Sequence, residues 1–287
     1  MGYFATMTIE TAAPARAVRA ATAVPVRLRS TVAALDPART ATLAVLTWIP
    51  LVLLLDRGVG VWAQRGLGLG TWVLLIALVR REMPLVRAQV AVVVVFATLV
   101  EYTFSPVLGV YTYRLGNVPA FVPPGHGLVY LAALSIGRLA FVRARVRVLA
   151  RVTVLVGGLY AAWGLFLSER LDVLGAFWFL CLLAFLRWGP SRTLYVGAFL
   201  VVTYLELLGT ALGTWTWART DPTGIIAIGN PPSGAAGGYG WFDLAALLLA
   251  PALLHVVRRT SASVSRRAAA GPSGAPGTAG SSAPAEW

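Results

Sequence analysis

The chain has 287 residues, of which 58% are hydrophobic and only 12% are charged, and its mean hydropathy is +0.75. A soluble domain has less apolar sequence, and a transmembrane β-barrel would alternate over strands of about ten residues, so we expect a polytopic helical membrane protein. The net charge is +13, but the basic residues are all arginines that lie mostly between apolar blocks, with no aromatic-interleaved basic face, so no nucleic-acid partner is predicted.

Eight apolar segments predict eight transmembrane helices. In chain order they lie near 40–56, 61–79, 88–107, 126–142, 152–168, 172–188, 193–213 and 241–257. Several have only about 15 uninterrupted apolar residues where a bilayer core needs about 20, and flanking arginine and tryptophan side chains compensate for the difference. The predicted fold class is all-α, a polytopic membrane helical bundle.

The arginines predict how these helices are oriented. If eight helices alternate, 18 arginines lie on the side of the two termini and five on the other side, and Arg138 lies within the fourth segment. Arginines accumulate in cytoplasmic loops, so both termini are expected in the cytoplasm, and the absence of lysine suggests a bacterial inner membrane. Residues 1–38 are predicted to be a disordered or amphipathic N-terminal tail. Residues 259–287, rich in Pro, Gly and Ser, are predicted to be a disordered C-terminal tail.

Two long outer connections share one pattern, which predicts an internal repeat. Each copy has a glutamate, then Gly-x-aromatic-x-aromatic, then an asparagine and a Pro-Pro pair. The first copy consists of Glu101, Gly109, Tyr111, Tyr113, Asn117 and Pro123-Pro124. The second copy consists of Glu206, Gly213, Trp215, Trp217, Asn230 and Pro231-Pro232. We therefore predict two parallel four-helix repeats, 39–145 and 146–258. Chance recurrence in a sequence of low diversity is the alternative.

The candidate catalytic residues are three acids at membrane depth, Glu101, Glu206 and Asp243, together with His126. A charged group in the bilayer is costly, and a carboxyl group in an apolar site can keep its proton and act as an acid. Alternatively, the acids pair with arginines or cap a broken helix. His126 could be a base, a proton shuttle or a metal ligand, but no paired metal-ligand spacing occurs, so no metal site is predicted.

The predicted substrate-binding residues are the aromatic residues and asparagines of the two outer connections: Tyr111, Tyr113, Trp215, Trp217, Asn117 and Asn230. Aromatic rings beside a protonated carboxyl group suit a cationic or polyene ligand. Aromatic residues also form interfacial belts in every polytopic membrane protein, and that interpretation stays open.

The 100–124 segment resembles the carotenoid hydratase family, membrane enzymes that add water across terminal double bonds of carotenoids. The similar parts are the helical glutamate Glu101, the run Leu108-Gly109-Val110-Tyr111-Thr112-Tyr113, and the pairs Val118-Pro119 and Val122-Pro123. The resemblance implies that a protonated Glu101 or Glu206 generates a tertiary carbocation, which the tyrosine and tryptophan residues stabilise. His126 or Asp243 would then activate water.

The sequence therefore predicts a cofactor-independent membrane enzyme that acts on an isoprenoid or carotenoid-like lipid. Hydration, a lyase-type reaction, is one possible chemistry, and cyclisation or isomerisation would use the same groups. The alternative is a proton-coupled transporter or another small-molecule-binding membrane protein. Both interpretations imply a lipid-soluble small molecule as the partner.

Overall fold

The computed structural model describes the backbone of residues 36–269 and the side chains of residues 36–260. These residues form eight α-helices, a π-helical turn and two short strands, so the predicted all-α class is confirmed. The bounds are α1 Pro37–Asp56, α2 Val61–Val79, α3 Pro84–Tyr102, the π-turn Thr103–Val107, β1 Tyr111–Tyr113, α4 Val122–Arg138, α5 Ala140–Phe166, α6 Val173–Trp188, α7 Arg192–Ala211, β2 Trp215–Trp217 and α8 Ala235–Ala269.

Six of these helices are long and apolar enough to cross a membrane: α1, α2, α3 with its π-turn, α5, α7 and α8. The other two are shorter, with 17 residues in α4 and 16 in α6. Large apolar side chains on the outer surface, such as Leu69 at 68% and Leu99 at 64% exposure, would be unfavourable in water. The chain is thus a multi-pass helical membrane protein, and eight spanning helices remain a prediction.

Six of the helices begin earlier than the sequence predicts, and α4 and α5 show two of the causes. α4 begins at Val122, because Pro123 and Pro124 fit the first turn of a helix, where the backbone N–H groups need no intrahelical partner. α5 begins at Ala140 and includes the arginine-rich stretch that the sequence predicts as a loop. It is kinked at Arg145, where the predicted halves of the chain meet.

The last helix also extends beyond its predicted end. Residues 259–269, predicted as part of a disordered C-terminal tail, continue α8. The stretch from 252 to 270, between Pro251 and Gly271, contains no glycine or proline that would end the helix. The rest of that tail, 270–287, and residues 1–35 of the predicted N-terminal tail lie outside the described residues.

α4 is the central helix of the bundle. Most of its side chains are buried, and it packs against α1, α3 and α7. Its approach to α7 depends on small residues: a Cβ atom on Gly137 would lie 2.9 Å from the carbonyl oxygen of Thr193, and one on Gly197 would overlap the carbonyl group of Ala133. This close packing holds the second half of α4 against the first half of α7.

The two outer connections meet in a short antiparallel sheet. β1 pairs with β2, with Thr112 opposite Thr216 at its centre, and in both strands the two aromatic side chains are buried while the threonine is exposed. Gly109 and Gly213 stand two residues before the strands with φ of 65° and 70°. Glycine adopts this left-handed conformation without steric cost, which lets each chain segment turn from the helix end into its strand.

Candidate functional site

A cavity of ≈ 520 Å³ lies at the end of the bundle that carries the two strands. Three of the four predicted catalytic residues line it: Glu101 near the end of α3, His126 near the start of α4 and Glu206 in the second half of α7. The aromatic residues of β1 and β2, which the sequence predicts to bind substrate, line the same cavity. The two glutamates of the repeated pattern are therefore brought into one site.

Glu101 is only 5% exposed, and its two oxygen atoms have different partners. The hydroxyl groups of Tyr111 and Tyr113 donate to Oε2 at 2.9 and 2.7 Å, while Oε1 lies 3.3 Å from Nε2 of His126. Burial raises the pKa of Tyr111 and of Tyr113 well above the usual tyrosine value, and the charge of Glu101 is the second largest cause. Both hydroxyl groups therefore keep their protons and act as fixed donors to the carboxyl group.

His126 adds a proton to this arrangement. Its Nδ1 lies 3.1 Å from the carbonyl oxygen of Val122, which can only accept, so Nδ1 carries a hydrogen. Nε2 faces Oε1 of Glu101 at 3.3 Å, so a proton carried by either group at this contact lies between the two. The ring of Tyr239 stacks on the imidazole at 5.2 Å between centroids and fixes it. Glu101 and His126 thus form a buried proton-carrying pair.

Glu206 is also buried, at 3% exposure, but its partners differ in kind. Its Oε2 accepts hydrogen bonds from the indole N–H groups of Trp215 at 3.0 Å and Trp217 at 3.2 Å. Its Oε1 lies 3.4 Å from the hydroxyl of Tyr239, which donates to it. An indole N–H can only donate, so this site presents hydrogen-bond donors to a carboxylate, which can only accept.

Tyr239 occupies in α8 the position that His126 occupies in α4. Each is the fifth residue of its helix, and each approaches Oε1 of the glutamate in its own half of the chain. Tyr239 is not among the site residues predicted from the sequence. Aligning the two Pro-Pro pairs would place Gly234 opposite His126, so the correspondence emerges only when the helices are aligned at their first residues.

The wall of the cavity is largely aromatic. The rings of Tyr111 and Trp217 lie 4.6 Å apart between centroids, and Trp178 of α6 contacts Trp217 edge-on at 5.7 Å. Leu108 and Trp241 also line the cavity and are 42% and 50% exposed. Because these two residues line the cavity and are also exposed, the cavity reaches the outer surface of the protein, where Asp221 and Pro222 of the second outer connection also line it.

The fourth predicted catalytic residue, Asp243, does not line this cavity. It lies one helical turn beyond Tyr239 on α8, is 4% exposed, and borders a separate small hollow. The helical periodicity explains the difference, since four residues along α8 carry its side chain away from the two strands and towards the middle of the bundle. A direct role for Asp243 in the main cavity is therefore not supported.

The two asparagines predicted to bind substrate also do not line the cavity; they support the loops around it. The side-chain amide of Asn117 donates to Oε1 of Gln64 at 2.9 Å. Oδ1 of Asn230 accepts from the backbone N–H of Trp217 at 3.0 Å, which holds the end of β2. Their recurrence in the sequence pattern therefore reflects loop structure in this fold.

Two buried aspartates that were not predicted from the sequence anchor the same loops. Asp56, at the end of α1, accepts from Gln64 at 2.8 Å and is paired with Arg114. Asp172, before α6, accepts from three backbone N–H groups, those of Gly175, Gly229 and Ser233. Asp56 is the last residue of one predicted segment and Asp172 is the first residue of another, both at the outer end. An acidic residue at such a position is the sequence signal that could have identified them.

The arginines considered as partners of the glutamates pair elsewhere. Arg114 contacts Asp56, and Arg138 donates two hydrogen bonds of 2.9 Å to the carboxylate of Glu82 at the opposite end of the bundle. The donors described for the two glutamates in the cavity are instead tyrosine, histidine and tryptophan side chains.

Comparisons with known proteins yield no match: no family model fits the chain, and no curated protein and no solved structure is significantly similar to it. The resemblance to the carotenoid hydratase family therefore remains a prediction from the sequence.

Proposed function

We propose that this protein is a cofactor-independent membrane enzyme that adds water to a double bond of an isoprenoid or carotenoid-like lipid. The observation that carries the proposal is that Glu101 and Glu206 line one aromatic cavity in two different hydrogen-bonding environments. One carboxyl group shares a proton with a histidine, and the other is surrounded by donors only. An acid and a fixed anion on one apolar surface are the groups that acid-catalysed hydration of an alkene requires.

A long, apolar substrate suits the shape and composition of the cavity. A volume of ≈ 520 Å³ lies within the range of about 300–1,000 Å³ for small-molecule sites. It is large enough for an isoprenoid end group, while the remainder of the molecule would pass between Leu108 and Trp241 into the bilayer. This arrangement would place the terminal double bond of the lipid beside Glu101.

The reaction begins with proton transfer from the Glu101–His126 pair. The π electron pair of the double bond forms a new C–H bond with this proton, the proton leaves the carboxyl group, and the adjacent tertiary carbon becomes a cation. The face of Trp217 and the negative charge of Glu206 would stabilise this cation through cation–π and ionic attraction. The hydroxyl groups of Tyr111 and Tyr113 hold the carboxylate that remains.

Water completes the reaction. Its oxygen bonds to the cationic carbon, and the released proton returns to the Glu101–His126 pair, so that the product is a tertiary alcohol and the enzyme is regenerated. No electrons are gained or lost, and no cofactor is needed. If the cation loses a proton from a neighbouring carbon instead, the same site isomerises the alkene, and attack by a second double bond would give cyclisation.

The proposed arrangement in the membrane has eight spanning helices in two parallel repeats of four, in a bacterial inner membrane with cytoplasmic termini. Corresponding contacts support the repeat: α4 packs against α7 and α3 against α8, and these pairs interchange when the first half is superposed on the second. The arginine distribution supports the orientation. The cavity would then lie in the outer half of the bilayer.

A proton-coupled transporter is the second candidate. The observation that favours it is the buried Glu101–His126 pair, because a carboxyl–imidazole pair inside a helical repeat can bind and release a proton during transport. A transporter would leave its ligand chemically unchanged, whereas the proposed enzyme converts an alkene into an alcohol.

The test is lipid and pigment profiling of cells that carry or lack the gene, followed by incubation of the purified protein with isoprenoid alkenes. The expected result is a hydroxylated lipid with one added water, formed with the wild-type protein and lost with Glu101→Gln. Glu169→Gln, at an exposed glutamate outside the cavity, is the matched control and should retain activity. An identical lipid profile with and without the gene would exclude the enzyme, and uptake of an unchanged ligand would favour the transporter.

A further inference from the structure

A second hollow lies behind the main cavity, in the middle of the bundle. Its volume is ≈ 10 Å³, close to the roughly 10–15 Å³ that one water molecule requires. His126 and Tyr239 line both this hollow and the main cavity. Val129 and Phe242 also line both spaces, so the stacked rings of His126 and Tyr239 form the partition together with these two residues.

Two polar atoms at this hollow have no hydrogen-bond partner within the part of the chain that the structure describes. They are Oδ2 of Asp243 on α8 and the hydroxyl group of Tyr130 on α4, and their residues are 4% and 1% exposed. Buried polar groups in proteins are nearly always satisfied by protein or by ordered water, because an unsatisfied one costs roughly 1–3 kcal/mol. Two unsatisfied groups on one hollow of this size indicate that something polar fills it.

The surroundings restrict what this occupant is. α3 and α7 contribute only apolar side chains to the hollow, those of Val93, Ala198 and Val202. The hydroxyl group of Tyr195 on α7 is also buried without a partner among the described residues, and it is close enough to Asp243 for an electrostatic interaction. The small volume excludes an organic ligand, and one carboxyl group with phenols is a poor cation site. Water matches both the volume and the two partners.

We propose that the hollow binds one water molecule, which accepts a hydrogen bond from the Tyr130 hydroxyl and donates one to Oδ2 of Asp243, and that this water supplies the hydration reaction. The second part rests on the proposed function. The main cavity is largely apolar, so it holds water poorly next to Glu101, and a bound water behind its wall would provide a defined source. A tilt of the ring of His126 or Tyr239 would join the two spaces and admit this water next to the cation.

The first test is structural and independent of activity. A structure of the full-length protein in lipid nanodiscs, at a resolution that shows ordered water, should contain a density peak between Asp243 and Tyr130. The peak should disappear in Asp243→Leu, which fills the site with an apolar side chain, and in the gentler variant Tyr130→Phe. An empty hollow in the wild-type protein, or one closed by rotation of Asp243, would overturn the proposal.

The second test measures how the carbocation is partitioned. With a shortened isoprenoid alkene as substrate, Asp243→Leu and Tyr130→Phe should lower the ratio of alcohol to isomerised alkene by about tenfold. The total rate of alkene consumption should change little, because protonation by Glu101 is unaffected. A merely structural role would reduce both products together and would contradict the supply of water from this hollow.

The two tests separate the two proposals. If density is present but the wild-type protein consumes no alkene, the proposed function and the supply role fail while the water site stands. If the wild-type protein forms the alcohol but the hollow is empty, the proposed function stands and this inference fails.

Discussion

The two glutamates of the cavity stand on the same framework but have different partners. Each lies near the end of a helix, precedes a glycine with positive φ, and accepts two hydrogen bonds on Oε2 from the aromatic residues of the following strand. Around Glu101 these donors are tyrosines and the third partner is a histidine. Around Glu206 they are tryptophans and the third partner is a tyrosine.

This difference shows how one backbone arrangement can carry two chemical roles. An indole N–H donates but cannot accept, and it does not titrate, so the tryptophans can only stabilise negative charge on Glu206. An imidazole can donate through one ring nitrogen and accept through the other, so His126 can exchange a proton with Glu101. The first half would therefore supply the acid and the second half the anion.

The largest expected effect comes from removing the acid. Glu101→Gln keeps the size of the side chain and can still accept from the two tyrosines, but it carries no transferable proton. We expect the rate of alkene hydration to fall by about 10²–10⁴-fold, the usual contribution of a general acid, with little change in substrate binding. Single-turnover measurements on the purified variant would check this, and a rate close to that of the wild type would assign the acid role elsewhere.

Removing the anion should have a smaller effect. Glu206→Gln retains an oxygen that can accept from Trp215 and Trp217, so the fold is preserved while the negative charge is lost. We expect a decrease of about 10²-fold, typical of the loss of one electrostatic stabiliser of a transition state. If Glu206→Gln is impaired as severely as Glu101→Gln, the two sites are not specialised in the way proposed, and measuring both variants with the same substrate decides this.

The aspartates that anchor the loops give a comparison of stability between the halves. Asp172 accepts from three backbone N–H groups, and in Asp172→Asn the side-chain amide would face one of these donors. We expect a loss of about 1–3 kcal/mol in the free energy of unfolding. Asp56→Asn should cost less, because Arg114 also donates to the backbone oxygens of Asp56 and Val59. Thermal unfolding in detergent would rank the two, and the reverse order would contradict this account.

The sequence predicted much of the fold because apolar block length is a direct consequence of burial in a bilayer. The eight segments correspond to the eight helices, and the differences lie at helix ends, among them a proline pair in α4, arginine-rich stretches in α5 and α8, and the glycine-rich start of α8. The convergence of Glu101 and Glu206 followed from a repeated pattern that was visible in the sequence. The strand pairing that brings their aromatic partners together was not predicted, since three-residue strands leave no periodic signal.

The remaining errors at the site arise from side-chain direction, which a spacing pattern does not contain. Asn117 and Asn230 both make loop contacts, although of different kinds, and a pattern cannot distinguish loop support from substrate contact. Asp243 lies on the same side of α8 as Tyr239 but one turn further along the helix, so Tyr239 lines the cavity and Asp243 does not. The position of a residue along a helix is known only when the first residue of the helix is known, and for α8 that residue was predicted several positions too late.

Removing a single tyrosine hydroxyl group, that of Tyr111 or Tyr113, should have the smallest effect on the hydration rate. Removing both should have a larger effect than either removal alone. Tyr111→Phe or Tyr113→Phe removes one of two donors to Oε2 of Glu101, and the other donor still satisfies this oxygen. Each should lower the hydration rate by about three- to tenfold, corresponding to about 1 kcal/mol. Tyr102→Phe, at an exposed tyrosine on the same helix, is the matched control and should have no effect.

The double variant Tyr111→Phe/Tyr113→Phe decides how these donors act. It leaves a buried carboxylate oxygen without any partner after proton transfer, which costs more than two separate hydrogen bonds. The combined loss of rate should therefore exceed the product of the two single losses. If the losses simply multiply, the tyrosines act independently, and the carboxylate of Glu101 is stabilised mainly through His126.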